Sequence, residues 1–144
     1  VSGLPSMKLR AAAAAVALVL LVGAAAVSRG AAARATNGTV RITIHYSKFD
    51  PADLAVAPGE TVRFVIVNTD PIDHEFILGD ERVQLVHEEG TEAHHAPRPG
   101  EVSVPAGETV VTTYTFPEVE GSLIFGCHLP GHYDFGMRGA VTVG

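Results

Sequence analysis

The 144 residues leave room for one domain, and the net charge of −6 averages two unlike parts. Residues 1–35 hold no Asp or Glu and are dominated by alanine. Residues 36–144 hold all sixteen acidic residues and six of the ten basic ones, a formal charge of −10 that argues against nucleic acid or an anionic membrane surface as partner and favours a basic protein.

In chain order, Lys8 and Arg10 precede an apolar run from Ala11 to Val27, and Ala33-Arg34-Ala35 ends the stretch in small residues. A basic start, an apolar centre and an Ala-x-Ala end predict an export leader over residues 1–35, cleaved after Ala35. The alternative is an uncleaved anchor, although a 17-residue run is at the short limit for crossing a bilayer. Either way the domain at 36–144 is expected outside the cytoplasm, periplasmic or extracellular.

That domain reads as all-β. Thr39 to Tyr46 alternates apolar and polar residues, as a half-buried strand does, and Phe49-Asp50-Pro51 breaks it. A short strand around Leu54 to Val56, a turn at Pro58-Gly59-Glu60 and an apolar strand from Thr61 to Asn68 follow. His74 to Leu78 is another short strand. Residues 79–100 form a polar excursion with four acidic residues beyond Asp80 and with His87, His94 and His95; a short helix fits near Glu81 to His87. Strands at Val102 to Val104, Thr109 to Phe116, Ser122 to Cys127 and Arg138 to Val143 complete the chain. Seven or eight short strands with regular turns predict a Greek-key sandwich or barrel, with Phe64, Phe76, Phe116 and Phe125 in its core.

Cys127 is the one cysteine, so it is paired with another chain, free, or bound to something. It opens the segment Cys127-His-Leu-Pro-Gly-His132-Tyr-Asp-Phe-Gly-Met137, which puts a thiolate, an imidazole and a thioether on one loop. That donor set is soft and suits copper; zinc also accepts one cysteine and two histidines, but a thioether serves it poorly. A second imidazole must come from elsewhere, and His74, at a strand start beyond Asn68, is the best candidate. Each of these residues alone has a bland reading, as surface histidine, buried small hydrophobe or core filler; the joint spacing makes those readings poor. His128 directly follows Cys127 and should point to the opposite face, so it is not counted as a ligand. His45 is assigned no role. His87, His94 and His95 belong to a solvated loop or, with Glu88, Glu89 or Glu92, to a second, weaker metal site.

The stretch from Phe49 to Asn68, then His74, then the Cys-x4-His-x4-Met loop resembles the cupredoxins, the family of plastocyanin, azurin, auracyanin and rusticyanin. The resemblance spans about residues 39–143 and the loop spacing is similar to that of the last two. It implies a β-sandwich holding one type 1 copper that cycles between Cu(I) and Cu(II). His74 and His132 become the imidazole ligands, Cys127 the thiolate and Met137 the axial ligand. The expected function is electron transfer by a non-enzymatic monomer that docks on a basic redox partner. Two departures matter. Glu75 stands where many cupredoxins have Asn or Ser bracing the ligand loops, and the His-bearing excursion is similar to periplasmic cupredoxins linked to copper tolerance. Copper tolerance or delivery through the same fold and site is therefore the alternative, and a metal-free β-sandwich adhesion module leaves the loop unexplained.

Overall fold

The computed structural model describes residues 31–90 and 96–144. Ten strands and one helix fill them: β1 (Ala33–Arg34), β2 (Thr39–His45), β3 (Lys48–Asp50), β4 (Asp53–Val56), β5 (Thr61–Asn68), β6 (His74–Gly79), α1 (Glu81–Glu88), β7 (Glu101–Val104), β8 (Thr109–Thr115), β9 (Gly121–Gly126) and β10 (Arg138–Val143). They form two sheets, in the orders β1-β4-β10-β9-β6-β7 and β3-β2-β5-β8. The fold is the all-β sandwich expected from the sequence.

Its strand count exceeds the expected seven or eight, and the reason is local. The additional pieces are two and three residues long, too short for alternation to register. Phe49-Asp50, read as a break, pairs instead with β2 across a two-residue turn, Ile44 opposite Phe49 and His45 opposite Lys48. Tyr46 and Ser47 form that turn at φ of 50° and 51°, the left-handed geometry that suits a tight hairpin. β1 lies within the segment read as a leader and pairs in parallel with β4, Ala33 opposite Leu54. The apolar run of that segment lies outside the described residues. Among the described residues no helix is long and apolar enough to cross a membrane.

Alternation decides what faces inward. β2 buries Val40, Ile42 and Ile44, and β5 buries Val62, Phe64 and Ile66. Between the sheets the rings of Phe49, Phe64, Phe76 and Phe125 pack with centroids 5.2–6.1 Å apart, and Phe116 joins Phe64 at 6.4 Å. All four phenylalanines expected in the core are there, with Phe49 added.

β6 is buried along its entire length, on both faces. Phe76 and Leu78 point into the core, while α1 packs against β6 and β9 from outside. Asp80 caps the helix, its Oδ1 accepting from Val83 N–H at 2.9 Å. Gln84, buried on the inner face of α1, donates Nε2 to the carbonyls of Ile77 and Ile124 and so pins the helix across both strands. The short helix expected near Glu81 to His87 is thus a lid on the strand that begins with His74.

Candidate metal centre

β6, β9 and β10 are neighbours in one sheet, which brings the start of β6, the end of β9 and the loop into β10 together. The loop is wound by its own backbone. His132 N–H donates to Leu129 O, Phe135 N–H to Gly131 O, Gly136 N–H to Tyr133 O and Met137 N–H to His132 O, all at 2.9–3.0 Å. Cys127 N–H closes it on Met137 O at 3.1 Å. From outside, Lys48 Nζ donates to Phe135 O at 2.7 Å. Gly126 is required by close approach: a Cβ there would lie 2.7 Å from the Tyr133 ring.

The loop and strand converge three donor atoms. His74 Nδ1 and His132 Nδ1 are 3.3 Å apart, and Cys127 Sγ lies 4.0 Å from the first and 3.2 Å from the second. An ion about 2.0–2.3 Å from each donor would itself hold them about 3.3–4 Å apart, so the trio fits a metal without rearrangement. Among the described residues this is the group of three His, Cys or acidic side chains able to hold an ion. His74 and Cys127 are buried and His132 is half-buried. Met137 is also buried, and its backbone brackets Cys127 and His132.

The surroundings set the protonation of these groups. Burial pushes the Cys127 thiol up to about 11, although N–H groups of Leu129 and Glu75 act in the opposite direction. Burial, with His74 beside it, lowers His132 below the ordinary imidazole value, so its ring is neutral and free to ligate at pH 7. His74 Nε2 donates to Asp70 Oδ2 at 2.9 Å, which leaves the Nδ1 lone pair facing Cys127 and His132. Asp70 is itself buried. Asn68 holds the loop that carries it, accepting from Asp70 N–H and donating to the carbonyls of Ile72, Val104 and Pro105. Sequence reasoning missed Asp70; an acid four residues before a candidate ligand in a short polar loop was the available signal.

Glu75 departs from the expected brace in a specific way. Its backbone N–H donates to Cys127 Sγ at 3.3 Å, so the link between the two ligand segments is made by the main chain. The residue is 5 % exposed and lines a cavity of about 160 Å³ with Asp73, His74, Ser103, Pro105 and Leu129.

The remaining histidines are elsewhere. His128 points away from the trio, as expected: Nδ1 lies 2.7 Å from Glu88 Oε2 and Nε2 2.8 Å from Gln84 Oε1, and the ring stacks on Tyr133. His87 Nδ1 donates to Val83 O at 2.8 Å, with Nε2 3.6 Å from Glu101 Oε2. His45 is exposed and its Nδ1 is 2.9 Å from Thr69 Oγ1. His94 and His95 lie outside the described residues.

Comparison with known proteins agrees with this geometry. The chain is 41 % identical over 119 residues to the copper-resistant cuproprotein CopI of Rubrivivax gelatinosus, covering 79 % of this chain and 70 % of that one. It is 34 % identical to the CopI of Vibrio cholerae over 90 residues, which is 59 % of this chain and 52 % of the relative. Among solved structures, the dithionite-reduced auracyanin of Roseiflexus castenholzii superposes with a TM-score of 0.62 at 24 % identity, covering 74 % of this chain and 97 % of that one, a likeness of fold. Residues 37–144 match the copper binding proteins of the plastocyanin/azurin type, and the chain belongs to that family.

Proposed function

We propose that the chain is an exported, non-enzymatic redox protein with one type 1 copper, held by His74, Cys127, His132 and Met137 and cycling between Cu(I) and Cu(II). The observation that carries this reading is the convergence of one thiol and two imidazole Nδ1 atoms within 3.2–4.0 Å of one another. One thiolate and two imidazoles with a weak axial thioether supply one-electron chemistry when copper is bound.

The protein's part is to keep that donor set in place. The main-chain bonds from Glu75 to Cys127 and from Cys127 to Met137 join the ligand segments, so little needs to move between the oxidation states. Electrons would pass at the edge of half-buried His132. Around it Phe135 is 84 % exposed, Pro130 is exposed and Leu129 is partly buried, a small apolar docking patch. The acidic domain would then steer a basic redox partner to the monomer.

The test is an absorption spectrum of the purified domain after Cu(II) is added, with copper counted per chain. An intense visible band at one copper per chain is the expected result; a colourless protein would sink the ligand set.

A second reading is copper tolerance or delivery through the same site. It is supported by the relatives, which carry the name copper-resistant cuproprotein at 41 % and 34 % identity. The two readings part on what happens to reduced copper. A carrier keeps it against a Cu(I) chelator, whereas a delivery protein releases it. Copper above one per chain, falling when His94 and His95 are replaced, would add the excursion to the copper-handling surface.

A further inference from the structure

Asp70 stands between an exposed turn and a ligand. It is 6 % exposed, and its carboxylate accepts three hydrogen bonds: Oδ1 from Tyr46 N–H at 2.7 Å, and Oδ2 from Ser47 N–H at 2.8 Å and His74 Nε2 at 2.9 Å. A group that only accepts is behaving as a carboxylate. Burial alone would raise its pKa, but the N–H groups of Ser47 and Tyr46 and the His74 ring outweigh that and hold it below the ordinary carboxylate value.

The turn explains why the carboxylate is so firmly seated. Tyr46 and Ser47 both have positive φ, 50° and 51°, where Asn and Gly are the favoured residues. A left-handed conformation is unfavourable for an ordinary residue, because its Cβ crowds the following carbonyl. In return, the two successive N–H groups point inward and cradle an anion. The turn and the carboxylate therefore hold each other, and the oxygen shared by Ser47 and His74 has one place to be.

We propose that Asp70 is a positioning residue of the copper centre, fixing His74 with Nδ1 toward the metal and favouring Cu(II) over Cu(I) through the fixed negative charge on Nε2–H. The physical basis is that a carboxylate on the far nitrogen makes an imidazole a stronger donor and orients its ring. A fixed negative charge attracts a doubly charged ion more strongly than a singly charged one, so Asp70, like the buried Glu75 beside the site, gives the oxidised state the larger gain. The inference rests on the copper reading of the site.

The experiment compares the wild-type chain with Asp70→Asn, which keeps an accepting oxygen and removes the charge. Cu(II) and Cu(I) affinities are measured by competition with chelators, and the His74 Nε2–H resonance is followed by NMR in the diamagnetic Cu(I) form. The variant should lose about 10- to 100-fold in Cu(II) affinity relative to Cu(I), and the Nε2–H signal should move upfield or exchange away. Because the side-chain amide of this variant would turn a donor toward an N–H of the turn, the same change is also made with Tyr46→Asn and Ser47→Gly, a pair that holds this turn unaided. Equal loss for both oxidation states, or an unchanged ratio in either background, would overturn the proposal and leave the copper reading intact. A wild-type chain that takes up no copper would overturn both.

Discussion

Cys127 and His128 are consecutive, and their side chains serve opposite ends. Sγ of Cys127 turns inward to His74 and His132, whose Nδ1 atoms face each other at 3.3 Å. His128 turns outward to α1, where its ring lies 5.8 Å from that of His87. Both places hold a histidine pair in a partly buried setting. In the first, each Nδ1 is aimed at other donors. In the second, the His128 nitrogens are taken by Glu88 and Gln84, and His87 Nδ1 by a helix carbonyl. What separates a metal centre from a polar clasp is therefore where the nitrogen lone pairs point, and the number of histidines does not decide it.

The comparison breaks most sharply at Cys127. Cys127→Ser should abolish the intense visible absorption, and a coloured variant would refute the site; absorption with copper quantified in parallel reads it. The two histidine pairs come next. His132→Ala should lose the one-copper centre, whereas His128→Ala should keep copper at the wild-type count and lose stability of about 1–3 kcal/mol, because Gln84 is left without its partner at the loop. Glu88 is 43 % exposed, so the ion-pair part of that loss is small. Copper counting and chemical denaturation separate the two outcomes.

A smaller effect follows from the thiol. Cys127 is raised to about 11, so the metal-free fold holds a proton on sulfur at pH 7 that copper must displace. Apparent copper affinity should rise about tenfold per pH unit below that value, with proton release on binding. The sign for the metal-free fold follows from the raised pKa. The stabilisation from the protonated thiol is complete below the ordinary thiol value and is lost as pH climbs through about 11. Calorimetry in buffers of different ionisation enthalpy measures the protons, and affinity independent of pH would mean a thiolate in the free protein. The smallest effect on binding is expected at Met137. Met137→Leu should retain copper and raise the reduction potential, since a weak axial donor to Cu(II) is lost; voltammetry reads the shift.

Much of this was legible in one dimension. Period-two alternation exposed β2, a largely apolar run exposed β5, and turn residues marked off these and the strands that follow. The segment from Cys127 to Met137 showed three of the proposed donors because a single loop carries them. Their partner His74 was readable as a histidine opening a strand, and the resemblance to cupredoxins pointed to the same residue. The short helix and the outward turn of His128 were also readable, one from composition and the other from strand alternation. β1 and β3 were not, because two and three residues are too few for a period of two to repeat.

The tertiary structure alone decided the relations between distant segments. Asp70 reaches His74 and the Tyr46–Ser47 turn only because β2 and β5 lie side by side and the loop after β5 folds back over the hairpin. Glu75 links to Cys127 through its backbone, so its acidic side chain gave a misleading cue for the brace. Gln84 binds carbonyls of β6 and β9, two strands separated by more than forty residues in sequence. Donor chemistry is a property of residue types and can be read from their order along the chain. The direction of a lone pair, and what surrounds a carboxylate, are properties of packing, and they exist only once the two sheets have closed.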